Sequence, residues 1–176
     1  MSTWAHLAGR FFGALRPGGA SAADEQWVAS VLAPGELGLW RRQPGHDRRH
    51  TVEVARRVEL ALAGGPHAGD PRWLSAALLH DIGKLAAGLS VPGRVVATVF
   101  AKAAGGALSD WEEEPGLRRR IALYLRHGEL GADMIRMAGG REEAALWAAA
   151  HHHRSRLDPH ALPASVVVAL AEADPD

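Results

Sequence analysis

Glycine and proline cut this chain into pieces of helical length, and that punctuation leaves little room for any fold but a helical one. Breakers stand at Pro17-Gly18-Gly19, Pro34-Gly35, Pro44-Gly45, Gly64-Gly65-Pro66, Pro92-Gly93, Pro115-Gly116, Gly139-Gly140 and Pro163. Between them no sustained alternation of apolar and polar residues marks a strand. The expectation is an all-α domain with helices over residues 3–15, 24–32, 36–42, 50–63, 71–81, 95–104, 117–127, 129–138, 141–152 and 164–173. Residues 1–43 read as an N-terminal helical extension and 44–176 as the main domain.

The 176 residues suit one domain with a core of its own. Cysteine is absent, which excludes disulfides, thiolate metal sites and cysteine nucleophiles and leaves nitrogen and oxygen as the only metal donors. Lys and Arg number 20 against 20 Asp and Glu, so no overall field draws in nucleic acid or an anionic membrane. Specific nucleic-acid binding is not expected. The apolar stretch at 4–15 is broken by His6 and Arg10 and lacks a cleavage pattern. The window 95–108 carries Lys102 and Gly105-Gly106 and falls short of the ~20 apolar residues of a spanning helix. A cytoplasmic protein without a transmembrane segment is the expectation. Alanine richness reads as helix propensity. The odd entry is 10 histidines beside one tyrosine and three phenylalanines, which directs attention to metal chemistry.

Several of those histidines fall on apolar helix faces. His50 is followed by Val54, Val58, Ala61 and Leu62 at helical spacing, with Asp47 as a candidate N-cap. Residues 73–79 form an apolar helix that runs into His80-Asp81-Ile82-Gly83-Lys84. There Gly83 could take the left-handed conformation that ends a helix and lets Lys84 turn back over the site. His127 follows Leu123 and Tyr124 and reads as the close of its helix, with Gly128 as the stop. In His151-His152-His153 the stripe through Ala144 and Trp147 selects His151 as the inward ring, sets His152 to its side and leaves His153 at the helix end. Asp174 falls in line with Val167, Leu170 and Ala171, whereas Asp176 is off that pattern. Any one of these groups alone is explained by a buried polar contact. Together, His50, His80, Asp81, His127, His151 and Asp174 are satisfied at once by a shared metal site.

These elements resemble the HD superfamily of metal-dependent phosphohydrolases. The likeness rests on Asp47-Arg48-Arg49-His50, on Leu78-Leu79-His80-Asp81-Ile82-Gly83-Lys84 and on Ala173-Asp174, and it spans roughly residues 47–174. His127-Gly128-Glu129-Leu130-Gly131-Ala132 and His151-His152 resemble the subset with extra histidines for a second ion. The resemblance implies an HD-domain helical bundle in which His50, His80, Asp81 and Asp174 hold one ion. His127 and His151 join a bridging Asp81 for the other, with His152 assisting. The Gly-Tyr-Pro tripeptide of the branch that cleaves cyclic dinucleotides is absent after His153, so cyclic di-GMP is not the expected substrate.

The implied cofactors are one or two divalent ions, with manganese, iron, nickel, magnesium or zinc as candidates. Their chemistry is to polarise a phosphoryl oxygen and make hydroxide available near neutral pH. Asp81 and Lys84 are the catalytic candidates, Lys84 to neutralise charge developing on the phosphoryl group. The expected partner is a small phosphorylated substrate, a nucleotide first among them. Arg48, Arg49 and Arg154 adjoin ligand positions as further phosphate contacts. Two other readings stand beside the hydrolase: an HD-type di-iron oxygenase, and a regulatory or scaffold module that keeps the metal without catalysis.

Overall fold

A computed structural model describes residues 18–104 and 109–175. The expected helix at 3–15, Asp176 and part of the 95–108 window lie outside them. The described elements are helical throughout: α1 (Ala22–Val31), α2 (Pro34–Arg41), α3 (Gly45–Ala61), α4 (Pro71–Leu79), the short α5 (Lys84–Ala87), α6 (Val91–Ala104), α7 (Leu117–Leu125), α8 (His127–Met137), α9 (Glu142–Ala150) and α10 (Ala164–Ala173), with 3-10 turns at Ser109–Glu112 and Arg154–Arg156. The fold is an all-α bundle. No single helix among the described residues is long and apolar enough to cross a membrane.

Helix α4 is the axis of the bundle. Asp70 caps it by accepting from the Arg72 N–H at 2.9 Å, and Pro71 supplies a first-turn residue with no N–H to satisfy. Every side chain from Trp73 to Leu79 is buried, because α3, α9, α10 and α1–α2 close around it. The main core joins Val28, Trp40, Val54, Val58, Leu78, Ile135 and Leu170. A smaller apolar cluster of Ala87, Leu89, Ala97 and Ile121 ties α5, α6 and α7 together.

Alanine serves packing as well as propensity. Ala144, Ala145 and Ala148 of α9 are wholly buried, and their small side chains let α8 come close. A Cβ on Gly128 would lie 2.7 Å from the Ala148 carbonyl oxygen. Gly128 therefore sits inside α8 as a contact point, not at a helix stop as the sequence suggests.

Residues 18–43 share the main core. Val28 and Trp40 are fully buried, and the Trp40 indole N–H donates to Thr51 Oγ1 at 3.1 Å. Glu36, also fully buried, accepts from the backbone N–H groups of Ala33 at 2.9 Å and Arg141 at 2.8 Å, from Ser75 Oγ at 2.9 Å and from the Arg141 guanidinium.

Two local expectations are corrected. Helix α3 starts at Gly45, with Pro44 before it and no side-chain cap. Asp47 is instead paired with Arg94. Ala61, placed on the inward stripe by its spacing, is exposed, and Thr51, Val52 and Ala55 are buried there along with Val54 and Val58.

Candidate metal centre

The site residues gather where helices end. His80 is the C-cap of α4, His151 of α9 and Asp174 of α10. His127 stands at the break between α7 and α8. The last turn of a helix leaves carbonyl oxygens without partners, and three imidazoles take them. His80 Nδ1–H donates to Ala77 O at 2.8 Å, His127 Nδ1–H to Tyr124 O at 2.6 Å and His151 Nδ1–H to Ala148 O at 2.7 Å. A carbonyl can only accept, so each bond fixes the proton on Nδ1. In a neutral ring Nε2 is then left with a free lone pair.

The Nε2 atoms converge on two carboxylates. His127 Nε2 and His151 Nε2 lie 3.4 and 3.7 Å from Asp81 Oδ1, and His80 Nε2 lies 3.5 Å from Asp81 Oδ2. His80 Nε2 is also 3.2 Å from Asp174 Oδ2, and His50 Nε2 is 3.5 Å from Asp174 Oδ1. Two groups of donors result among the described residues, each with its ligand atoms within 4.8 Å of one another: His50, His80 and Asp174; and Asp81, His127, His151 and His152. Asp81 faces both.

Such an arrangement makes poor sense without a cation. His50 Nε2, His80 Nε2 and His151 Nε2 are buried with no hydrogen-bond partner. The His80–Asp174 approach has the distance of a hydrogen bond but not its direction. A buried Nε2 aimed at a buried carboxylate is repelled unless positive charge, as a ring proton or a metal ion, stands between them. All-nitrogen-and-oxygen donor groups of this kind fit a divalent transition metal, so both groups could hold an ion.

The ionisation of the site carries the same message. Burial opposes a charged His80, but the Asp81 and Asp174 carboxylates outweigh it and lift this ring to about 10. Burial likewise works against a charged Asp81, yet Lys84, His80 and the other rings hold its carboxyl well below the usual range. Asp174 is held low despite burial by His50 and His80. Burial pushes His127 down and His151 down to about 4.

Lys84 is buried and its ammonium donates to Asp81 Oδ2. The turn that brings it there differs from the expected one. Gly83 is right-handed, at φ −65°, and it is needed for close approach: a Cβ there would fall 1.8 Å from His127 O and 2.6 Å from Gly131 N. The left-handed glycine nearest this turn is Gly88, which ends α5 at φ 57°.

The flanking arginines divide. Arg48 pairs with Glu25 at 2.6 Å and Arg49 donates to Gly18 O at 3.0 Å, so both tie α3 to the chain before it. Arg154 lines a small cleft with His80, Trp147, His151, Leu170 and Asp174. Exposed His153 belongs to neither donor group. Sequence reading missed Arg94, which grips Asp47 from α6. A single arginine 47 positions away offered no local signal.

The family profile for the HD domain matches residues 48–174, and the chain belongs to the HD domain family. Membership points to metal-dependent hydrolase-type activity at the level of the superfamily. Comparisons with curated proteins and with solved structures give no match.

Proposed function

We propose that this chain is a metal-dependent phosphohydrolase that cleaves a small phosphate ester or anhydride, with nucleotides as the leading substrate class. His50, His80, Asp81 and Asp174 would hold one ion, and Asp81, His127, His151 and His152 the other. The observation that carries the reading is Asp81, a buried carboxylate whose two oxygens face different sets of imidazole nitrogens.

Divalent ions in such a site polarise a phosphoryl oxygen and make hydroxide available near neutral pH. The chain supplies the rest. Asp81 and Asp174 offset the positive charge, and the three Nδ1–carbonyl bonds hold the rings in one tautomer and one orientation. Lys84, beside Asp81, offers an ammonium to the charge that develops on the phosphoryl oxygens. That cation also favours hydrolysis over oxygen chemistry on a neutral polyol, which would gain little from it.

The test is elemental analysis of protein purified without chelator, followed by a panel of nucleotides and phosphate esters with manganese, iron, nickel, magnesium or zinc supplied. Metal-dependent release of phosphate or a nucleotide product, lost in His80→Ala and Asp81→Ala, is the expected result. A metal-loaded protein inactive on the whole panel would overturn the reading; oxygen uptake with a polyol or phosphonate would replace it with an oxygenase.

A further inference from the structure

One cluster beside the candidate metal centre takes no part in either donor group. Asp47 is nearly buried and accepts from Arg94 through both oxygens, from Nη1 at 2.7 Å and from Nη2 at 2.8 Å. Asp47 precedes His50 by three residues on α3, so the pair stands one turn from the His50 ring on the same face. His46 Nε2 lies 3.2 Å from the same Asp47 Oδ1. Two polar atoms of this cluster, Arg94 Nε and His46 Nε2, are buried with no hydrogen-bond partner.

A guanidinium has five N–H groups, and the fork to Asp47 uses two of them. A pair that served only to tie α6 to α3 has no need of a buried Nε–H without an acceptor, nor of a desolvated imidazole at its side. Burial, partly opposed by Asp47, lowers His46, and positive charge from Arg94, Arg49 and Lys84 lowers it further. The charge of Asp81 reaches Arg94 in turn, which sets this cluster within electrostatic range of the carboxylate at the centre of the site. The Arg94 side chain is 13% exposed, so part of it meets solvent.

We propose that Arg94, oriented by Asp47 and flanked by His46, is a second anion-binding position that receives a further phosphate on the substrate, next to the phosphoryl group that is cleaved. This rests on the phosphohydrolase reading and narrows it to substrates with at least two phosphates. Asp47 is here a positioning residue: it fixes the plane of the guanidinium so that the unused N–H edge is preorganised for tetrahedral oxygens.

Titration calorimetry on manganese-loaded protein, with free manganese kept in excess, tests it by comparing inorganic phosphate with methylenediphosphonate. Wild type should prefer the diphosphonate by about tenfold or more. Arg94→Gln and Arg94→Lys should both lose that preference, since neither keeps the fork, while phosphate affinity and manganese content stay unchanged. Arg94→Lys keeps the charge opposite Asp47 and covers the case in which the glutamine variant fails to fold. A preference that survives in Arg94→Lys, or no preference in wild type, overturns the proposal. Hydrolysis of the phosphate panel is judged separately: turnover without a diphosphonate preference removes the second position alone, and Arg94-dependent binding without turnover removes the phosphohydrolase reading alone.

Discussion

His152 Nε2 lies 3.0 Å from His127 Nε2. His127 already donates its Nδ1–H to Tyr124 O, so this contact is satisfied either by a proton on His152 or by a cation that both rings face. The triplet is thus ranked by more than helical phase. His127→Ala and His151→Ala should each cost the protein one ion. His152→Ala should weaken that ion's binding on the order of 10- to 100-fold, and His153→Ala should change nothing. Elemental analysis after dialysis against graded chelator reads the order, and a loss in His153→Ala equal to that in His151→Ala would reject it.

Metal capture at the two groups should respond differently to pH. His80, at about 10, carries a proton near neutrality in the metal-free protein, and an ion at the His50–His80–Asp174 group must displace it. Affinity there should rise about tenfold per pH unit between roughly pH 7 and 9, with about one proton released per ion. His151, at about 4, is already neutral over that range, as is His127, which burial also lowers. Those two rings therefore add no slope at the other group. Manganese titrations in buffers of different ionisation enthalpy count the protons, and equal slopes at both groups would contradict this assignment.

Much of this site can be read from the chain, and the rest could not be, for a definite reason. Periodicity places His50, His80, His151 and Asp174 on inward faces because an apolar stripe is a local pattern. It runs the helices through Asp81, His127 and His152, however, where the structure ends them at Leu79, Leu125 and Ala150. Those ends depend on contacts distant in sequence: Gly83 against His127, and Gly128 against Ala148. A local reading gives both glycines the role of helix stops. It likewise makes Asp47 a cap, because its true partner lies on another helix. The burial of Glu36 is of the same kind, with donors in α4 and before α9.

Gly83→Ala should therefore damage the site more than an ordinary helix-end substitution. The added Cβ would meet backbone atoms of His127 and Gly131 at 1.8 and 2.6 Å, and neither can swing away as a side chain could. A loss of ~3 kcal/mol or more is expected, with displacement of His127 and loss of metal. At Gly131 the nearest atoms stand at 3.1 and 3.2 Å, so Gly131→Ala should be milder. Thermal melts and metal content of the two variants check the contrast; equal melts would show that the α5–α8 contact yields easily.

Glu36 tests whether the residues before 44 can be separated from the rest. Its fully buried carboxylate accepts from four donors and joins α2 to α4 and to the start of α9. Glu36→Gln would turn an N–H2 toward some of those donors, at a cost of ~2–4 kcal/mol. We propose that α1 and α2 are integral to the domain, so that a fragment of residues 44–176 fails to fold. An unchanged melt for Glu36→Gln together with a folded fragment would make the segment a true extension.

Lys84 distinguishes catalysis from support. Its ammonium holds Asp81 Oδ2, the oxygen that also lies 3.5 Å from His80 Nε2. Positive charge from an ion at that oxygen competes with the ammonium, so Lys84 is a rival of the ion for Asp81 rather than a prop for it. Lys84→Met keeps most of the buried stem and removes the charge. Metal affinity should hold or rise severalfold in this variant, because a competitor is gone, while turnover of a phosphorylated substrate should fall roughly 10- to 100-fold as the developing phosphoryl charge loses its partner. Lys84→Ala should follow the same direction with some added loss of packing. Chelator competition and steady-state kinetics on the same preparation separate the two effects. Loss of metal in Lys84→Met would make the lysine a structural counter-ion, and unchanged turnover with metal retained would remove it from the reaction.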